Sequence, residues 1–67
     1  MKLLIQAVEG RQMTLLDAAG RVLRGRFAGR DKAGAPLPDG ELVADHHHYR
    51  RAILRGDLAL VAEQEQP

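Results

Sequence analysis

The sequence contains no cysteine, no serine and no tryptophan, and it has one phenylalanine and one tyrosine. Without cysteine, neither a disulfide nor a thiolate metal site can form. Without serine or cysteine, the commonest side-chain nucleophiles are also missing. Because aromatic residues are so few, the core has to be built from Leu, Val, Ile, Met and Ala.

The length of the chain sets the second constraint. Its 67 residues are enough for one domain and leave nothing to fill a second core. A domain this short buries only roughly 60% of the surface of its unfolded chain, so its own core gives marginal stability. Oligomerisation or docking on a larger assembly is the expected remedy. We predict a single small β-rich domain over residues 1–62 and a polar C-terminal tail over residues 63–67.

Positive charge is carried mainly by arginine and falls in two clusters. Eight of the ten basic residues are Arg, although the net charge is only +1. Arginine favours bidentate contacts with carboxylates or phosphates and is common at protein interfaces. We therefore predict that partners bind to the two clusters, which consist of Arg21, Arg24, Arg26, Arg30, Arg50, Arg51 and Arg55.

The apolar pattern predicts an α+β, mainly β fold: a small twisted antiparallel sheet or partial barrel of three to five strands. Strands are expected at residues 2–8, 12–16, 21–28, 41–44 and 58–62. Asp17 and Gly20 occupy the first and fourth positions of a type I turn, which predicts a bulged β-hairpin. The first three strands should form a meander. The Pro- and Gly-rich segment 29–40 is expected to be a functional or mobile loop.

One short helix is predicted near residues 46–55. Asp45 is the expected N-cap, and Gly56 stands where a left-handed C-terminal residue belongs. Tyr49, Ala52 and Ile53 are spaced i, i+3, i+4 and should form its inward stripe.

Neither a metal site nor a catalytic site is predicted. Three consecutive histidines, residues 46–48, diverge by about 100° each on a helix and cannot converge on one ion. On a strand two of them would share a face, but no other His or Cys completes a site. The aspartates fall mostly at turn and cap positions, where they have structural tasks. We therefore predict no enzyme activity, no cofactor and no metal.

The charge pattern leaves protein docking and nucleic-acid binding open, with docking favoured. A nucleic-acid domain usually has a strongly basic balance and exposed stacking aromatics, and this chain has little of either. A basic strand and an acidic tail on one molecule also suit contacts between copies. No apolar run approaches the roughly 20 residues that span a bilayer, and no signal peptide is recognised, so synthesis in the cytoplasm is expected without a membrane partner.

Several short motifs stand in a recognisable order between residues 17 and 62. They are Asp17-Ala-Ala-Gly20-Arg21, Leu37-Pro38-Asp39-Gly40, Val43-Ala44-Asp45, Tyr49-Arg50-Arg51 and Leu54-Arg55-Gly56-Asp57-Leu58. This order resembles a family of short proteins from the head-completion and tail gene region of Mu-like bacteriophages and prophages. That family has a D-x-x-G-R turn, a V-P-D step, an aromatic-R-R-R-L helix and a G-D-V-V strand. Here Tyr49 replaces the usual Trp, Ala52 replaces a third Arg, and the segment 24–36 is longer.

The resemblance implies a structural or assembly protein of the virion, in the tail or the head–tail region. Its partners would be other phage structural proteins, with many copies in a symmetric assembly, and it would reach the virion after synthesis in the host cytoplasm. Two alternatives remain, a capsid decoration or stabilising protein and a small nucleic-acid-binding protein. The resemblance supplies no catalytic residues.

Overall fold

The computed structural model describes residues 1–65, which form five strands and one short helix. In chain order the elements are β1 (Lys2–Ala7), β2 (Thr14–Leu16), β3 (Val22–Phe27), β4 (Glu41–Ala44), α1 (His47–Arg55) and β5 (Leu58–Gln64). The strands divide into an antiparallel sheet of order β4-β1-β5 and a two-stranded antiparallel sheet, β2-β3. The prediction of a mainly β, α+β fold with a short helix is confirmed.

Strand β1 is the centre of the larger sheet and supplies its deepest side chains. Leu3 and Ile5, which share one face of the strand, are completely buried. Both edges of β1 are paired, one with β4 and the other with β5. The pairing with β5 shifts register once, because Leu4 lies opposite Ala62 whereas Ile5 lies opposite Leu60. Val61 is therefore the extra residue of a β-bulge in β5.

The predicted three-stranded meander is wrong. Strand β1 does not pair with β2, since β4 and β5 occupy its two edges. Strand β2 also begins at Thr14, two residues later than predicted, after a turn closed by a bond of 3.0 Å from the Arg11 amide to the Val8 carbonyl. A short turn brings the following segment near, but only the competition between long-range partners decides which edge it joins.

The hairpin between β2 and β3 has the predicted turn. The Asp17 amide donates to the Arg21 carbonyl at 2.8 Å, and the Gly20 amide donates to the Asp17 carbonyl at 3.0 Å. The Asp17 carboxylate accepts from the amides of Ala19 and Arg21, both at 2.9 Å. Gly20 has φ +82°, the left-handed conformation that the bulge requires. Local sequence is sufficient here because every one of these contacts spans at most four residues.

The connection from β3 to β4 is ordered by a second turn of the same construction. The Asp31 amide donates to the Ala35 carbonyl, the Gly34 amide donates to the Asp31 carbonyl, and the Asp31 carboxylate accepts from the Ala33 and Ala35 amides. At the end of the connection Gly40 has φ +75°, and a Cβ atom there would lie 2.6 Å from the Ile5 carbonyl oxygen. The segment is therefore tied by its own hydrogen bonds and packs closely on β1.

The predicted N-cap of α1 is wrong by one residue. The cap is His46, whose Nδ1 accepts from the His48 amide at 3.1 Å. Asp45 is not available because its carboxylate receives both ends of the Arg50 guanidinium. The C-terminal prediction is confirmed, because Gly56 has φ +85° and its amide donates to carbonyls of the last helical turn.

The inward stripe of α1 is confirmed as well. Tyr49 and Ala52 are buried, and Ile53 packs against the core from its margin. The Tyr49 hydroxyl accepts from the Leu16 amide at 2.9 Å, which joins the helix to the smaller sheet. The core therefore joins both sheets and the helix, and its buried residues are Leu3, Ile5, Leu15, Ala28, Val43, Tyr49, Ala52 and Leu58.

Strand β5 is two residues longer at its end than predicted. Glu63 lies opposite Leu3 and Gln64 lies opposite Lys2, so the first two residues of the expected tail belong to the sheet. Glu63 also forms an ion pair with Arg50 of α1. Backbone pairing with β1 explains the extension, since it does not require apolar side chains. Residues 66 and 67 of the expected tail lie outside the described residues.

The Tyr49→Phe substitution tests the hydroxyl that joins the helix to the smaller sheet. It removes the acceptor of the Leu16 amide while it keeps the buried ring, so we expect a loss of about 1 kcal/mol in the free energy of unfolding. Urea denaturation followed by circular dichroism measures this. Arg51→Ala, on the exposed face of the same helix, is the control and should change stability by less than about 0.5 kcal/mol. Equal effects for the two variants would contradict the role of the hydroxyl.

Candidate protein-docking surface

The structure divides the seven predicted partner-binding arginines into two groups. Arg26, Arg30 and Arg50 are partly buried and contact other parts of the chain. The other four are exposed, and their guanidinium groups make no hydrogen bond or ion pair within residues 1–65; these are Arg21, Arg24, Arg51 and Arg55. The second group is therefore available to a partner without any loss of contacts inside the fold.

Arg30 joins two loops. Its guanidinium donates to the Gly34 carbonyl at 2.9 Å and to the carbonyls of Val8 and Arg11 at 3.0 Å each. One planar group thus holds the turn after β1 and the turn after β3 together. Only arginine offers a rigid fork with several donors, which explains the residue type at this position.

Arg50 joins the start of α1 to the end of β5. Its Nε and one terminal nitrogen donate to the two oxygens of the Asp45 carboxylate at 2.9 Å each, and it also pairs with Glu63. The hydrogen bond from Arg50 lowers the pKa of Asp45, and the two carboxylates raise the pKa of Arg50. Arg26 is held more loosely, with a nitrogen 3.9 Å from Glu41 and a buried Nε that has no partner in the described residues.

The outward face of α1 forms the first candidate surface, which we name the helix patch. Leu54 is 88% exposed, the most exposed large apolar side chain in the described residues. Arg51 lies one turn before it and Arg55 lies next to it, so both guanidinium groups are on the same side of the helix. His47 completes the face at i−4 from Arg51. An exposed apolar side chain beside a helix face with two cations that have no partner within residues 1–65 suits an acidic protein partner.

The arm of the hairpin forms the second candidate surface, the hairpin patch. It consists of Arg21, Val22, Leu23 and Arg24, all of them exposed. Val22 is 58% exposed, and Leu23 is 36% exposed. Strand β3 pairs only with β2, so its second edge is unpaired in the part of the chain that the structure describes. The patch is exposed on both faces of the arm, and the pairing of β3 with β2 is interrupted by a bulge because residues 23–26 lie opposite Leu15 alone.

A groove of about 390 Å³ lies between β4 and the start of the hairpin, and we name it the β4 groove. Its base is apolar and includes Leu15, Val43 and Tyr49, while Lys2, Asp17 and Glu41 stand at its rim. Burial raises the pKa of the Tyr49 hydroxyl, whereas the hydrogen bond from the Leu16 backbone acts in the opposite direction. The carboxylate of Glu41 adds to the upward shift. The tyrosine is therefore a neutral part of the groove wall at physiological pH.

The three consecutive histidines have separate structural contacts. His46 caps α1, and its ring stacks on the His47 ring with centroids 4.3 Å apart. The Nε2 of His48 lies 2.9 Å from the Thr14 carbonyl, which fixes the helix against β2. Within residues 1–65 no group of three or more His, Cys, Asp or Glu side chains is placed to hold a metal ion. No helix in that part of the chain is long and apolar enough to cross a membrane.

Sequence reasoning found the arginines but missed the apolar side chains beside them. Leu54 falls outside the inward stripe of α1, so helical periodicity already indicated that it faces away from the core. Val22 was harder to assign, because strand alternation places every second residue on one face without saying whether another layer covers that face. The β4 groove was not predicted, since it forms between segments that are distant in sequence.

The contacts of Arg30 predict that lysine cannot replace it. Arg30→Lys keeps the charge but loses the fork that reaches three carbonyls, so we expect a decrease of about 2 kcal/mol in the free energy of unfolding. Arg24→Lys is the matched control in the exposed hairpin patch and should leave stability within about 0.5 kcal/mol of the wild type. Denaturation curves of the two variants make the comparison. Equal decreases in the free energy of unfolding for the two variants would contradict the structural role of Arg30.

The pair of Asp45 and Arg50 predicts a pH-dependent part of the stability. Since the pKa of Asp45 is lowered from its ordinary value of 3.8, the pair stabilises the fold above that pH. This stabilisation should disappear as the pH falls through the lowered pKa. Urea denaturation at several pH values should therefore show that the difference between wild type and Asp45→Asn shrinks in acid. Arg50→Gln should remove the same pH-dependent part, and an unchanged difference at every pH would exclude the pair as its source.

Comparisons with known proteins identify no family for this chain. No family model matches the chain. Neither a curated protein nor a solved structure matches it at a significant level. The function is therefore argued from the surfaces described above, and the resemblance to short proteins of Mu-like phages stays a prediction from sequence motifs.

Proposed function

We propose that the protein acts by docking on other protein subunits, as a structural or assembly protein of a bacteriophage virion. The observation that carries the proposal is Leu54, which is 88% exposed at the margin of the helix face that carries Arg51 and Arg55. A leucine contributes to stability when it is buried, and this leucine buries almost nothing in the monomer. Contact with a partner would remove it from water and place the two arginines opposite acidic groups.

The size of the domain supports the same proposal. Its core contains eight buried residues, of which one is aromatic and two are alanines. A small core gives only a few kcal/mol of net stability, so subunit contacts are a common source of the rest. The exposed apolar side chains of the helix and hairpin patches are the surface from which such stabilisation is available.

Protein docking is favoured over nucleic-acid binding by the positions of the aromatic residues. Tyr49 is buried and Phe27 is partly buried in strand β3, so neither ring is offered as a platform for base stacking. Three of the arginines are also engaged inside the fold. Arg26 lies near Glu41, Arg30 donates to backbone carbonyls, and Arg50 pairs with Asp45 and Glu63. The remaining basic surface is interrupted by leucine and valine, which suits protein contacts better than a phosphate backbone.

The motifs between residues 17 and 62 support a place in the phage particle, in the tail or the head–tail region. The structure gives those motifs distinct tasks: the D-x-x-G-R motif forms the hairpin turn, and the G-D motif at residues 56 and 57 ends α1 and leads into β5. A capsid decoration protein would use the same docking surfaces. The location of the protein in the particle therefore distinguishes a tail or head–tail protein from a decoration protein. A nucleic-acid binder would instead lose affinity steeply as salt is raised.

The test is mass spectrometry of purified virions, with heads and tails analysed separately. We expect a fixed number of copies in the tail or head–tail fraction. The Leu54→Glu substitution should reduce incorporation at least about tenfold, because it places a charge at the apolar centre of the helix patch. Regular copies on heads alone would support the decoration alternative.

The control for this experiment is Lys32→Glu, a charge reversal on an exposed loop residue outside all three surfaces. It should be incorporated like the wild type. Both purified variants should keep wild-type stability, because Leu54 and Lys32 are exposed, and this separates failed docking from failed folding. Absence of the protein from finished particles would defeat the structural role, and tight DNA binding by the same sample would then favour the nucleic-acid alternative.

A further inference from the structure

The N-cap of α1 is a histidine, and its hydrogen bond fixes the protonation state of the ring. The Nδ1 atom of His46 accepts from the His48 amide at 3.1 Å. A backbone amide can only donate, so Nδ1 has to be unprotonated and the ring has to be neutral. The backbone of His46 is extended, with φ −130° and ψ 143°, as at an ordinary N-cap. The cap therefore forms with the neutral side chain and not with the protonated one.

A histidine cap differs in one respect from the residues that usually begin helices. Ser, Thr, Asn and Asp are the preferred N-caps, and none of them changes charge between about pH 5 and pH 8, whereas histidine does. A proton on Nδ1 of His46 removes the acceptor of the His48 amide. The resulting cation also stands at the positive end of the helix dipole, where a positive charge is destabilising. Both effects oppose the folded helix start in acid.

Neighbouring groups on the same segment do not compensate a positive His46. The first turn of α1 contains no acidic residue. The His47 ring is stacked on the His46 ring with centroids 4.3 Å apart, and the His48 ring lies 6.4 Å away, so the nearest titratable rings gain positive charge over the same pH range. The Asp45 carboxylate is next in the chain, but it is held by two nitrogens of Arg50, and the positive amino terminus also acts on it.

The elements that pack beside the cap use their own carboxylates elsewhere. His46 lines the β4 groove, where the other titratable side chains are Lys2, Asp17, Glu41 and Tyr49. Lys2 of β1 is itself a cation. The Asp17 carboxylate accepts from two amides of its own turn, and the Glu41 carboxylate of β4 accepts from a loop amide and lies 3.9 Å from an arginine. Glu63 of β5 is paired with the same arginine that holds the residue before the cap.

The cap lies next to the contacts that attach the smaller sheet to the helix. The Tyr49 hydroxyl, in the first turn of α1, accepts from the Leu16 amide at 2.9 Å. His48 donates from Nε2 to the Thr14 carbonyl, so its Nδ1 can take a proton without the loss of this bond. His46 is therefore the histidine of the three whose observed hydrogen bond is incompatible with a positive charge.

We propose that His46 makes the attachment of the hairpin to α1 sensitive to pH. The capped state requires a neutral ring, whereas the uncapped chain can bind the proton, so the uncapped state binds more protons and becomes favoured as the pH falls. Between about pH 7.5 and pH 5.5 the cap opens, the first turn of α1 frays, and the bond from the Leu16 amide to Tyr49 weakens. The device is independent of the proposed docking function.

This pH range is separate from that of the ion pair between Asp45 and Arg50. The pKa of Asp45 is lowered from 3.8, so its carboxylate stays ionised throughout the range in which histidine titrates. The three histidines are the side chains of this sequence that ordinarily change charge there. A loss of local structure between about pH 7.5 and pH 5.5 is therefore assigned among His46, His47 and His48 by substitution.

The experiment measures exchange of backbone amides with water by NMR on the full chain, at about pH 7.5 and pH 5.5. Rates are expressed as protection factors, which correct for the intrinsic effect of pH on exchange. In the wild type, the protection factors of the His48 and Leu16 amides should fall at least about threefold on acidification, the size expected for partial loss of an N-cap. In His46→Asn, whose side-chain oxygen caps the helix and does not titrate, both should stay within about 1.5-fold.

The matched control is His47→Gln, which removes the stacked imidazole and leaves the cap acceptor in place. It should keep the loss of protection that the wild type shows in acid. Circular dichroism at both pH values checks that the variants are folded. If His46→Asn does not fold, His46→Ser supplies another cap that does not titrate, with the same expected result.

Four results overturn the proposal. They are unchanged protection in the wild type, an equal loss in His46→Asn, a loss at the His48 amide that leaves Leu16 unaffected, and disappearance of the loss in His47→Gln. The last result would assign the effect to repulsion between the stacked rings instead of the cap. Retention of the loss in His47→Gln together with its absence in His46→Asn would establish His46 as the titrating cap.

Discussion

The contact on which the rest of the structure depends is the one between α1 and the smaller sheet. Two strands alone make a marginal sheet in water, and β2-β3 has no third strand to support it. Tyr49 supplies both the buried ring and the hydroxyl that accepts from the Leu16 amide, and the preceding residue, His48, bonds to the Thr14 carbonyl at the other end of β2. The helix therefore positions the hairpin over the core, and the β4 groove exists because the hairpin is held beside β4.

The arginines show how one residue type takes different roles through its surroundings. Arg30 reaches three carbonyls and Arg50 reaches two carboxylates, so their charges are used to join segments that are distant in sequence. Arg51 and Arg55 lie on the outward face of α1, where the nearest acidic groups are out of reach. The net charge of +1 therefore includes two kinds of arginine. Some are exposed and have no partner in the described residues, and others are partly buried and held by contacts within the chain.

The proposed contact with other subunits rests on the exposed Leu54 and on exposed apolar side chains of the hairpin. Val22, Leu23 and Leu54 are the exposed apolar side chains of the two patches, and each neighbours in sequence an arginine that has no partner within residues 1–65. These features support the proposal that neighbouring subunits cover the two patches. The acidic end of β5 is not part of that surface, because Glu63 is engaged by Arg50 within the chain.

The sequence by itself determined the parts of the protein that depend on near neighbours. The hairpin turn at Asp17 and Gly20, the C-terminal glycine of α1 and the inward stripe of Tyr49, Ala52 and Ile53 all involve contacts within a few residues. The tertiary structure decided the rest. It paired β1 with β4 and β5 instead of β2, took Asp45 away from the helix cap through Arg50, and sorted the arginines into partly buried and exposed groups. Each of these outcomes is a competition between partners distant in sequence, which local pattern cannot resolve because it does not contain their relative positions.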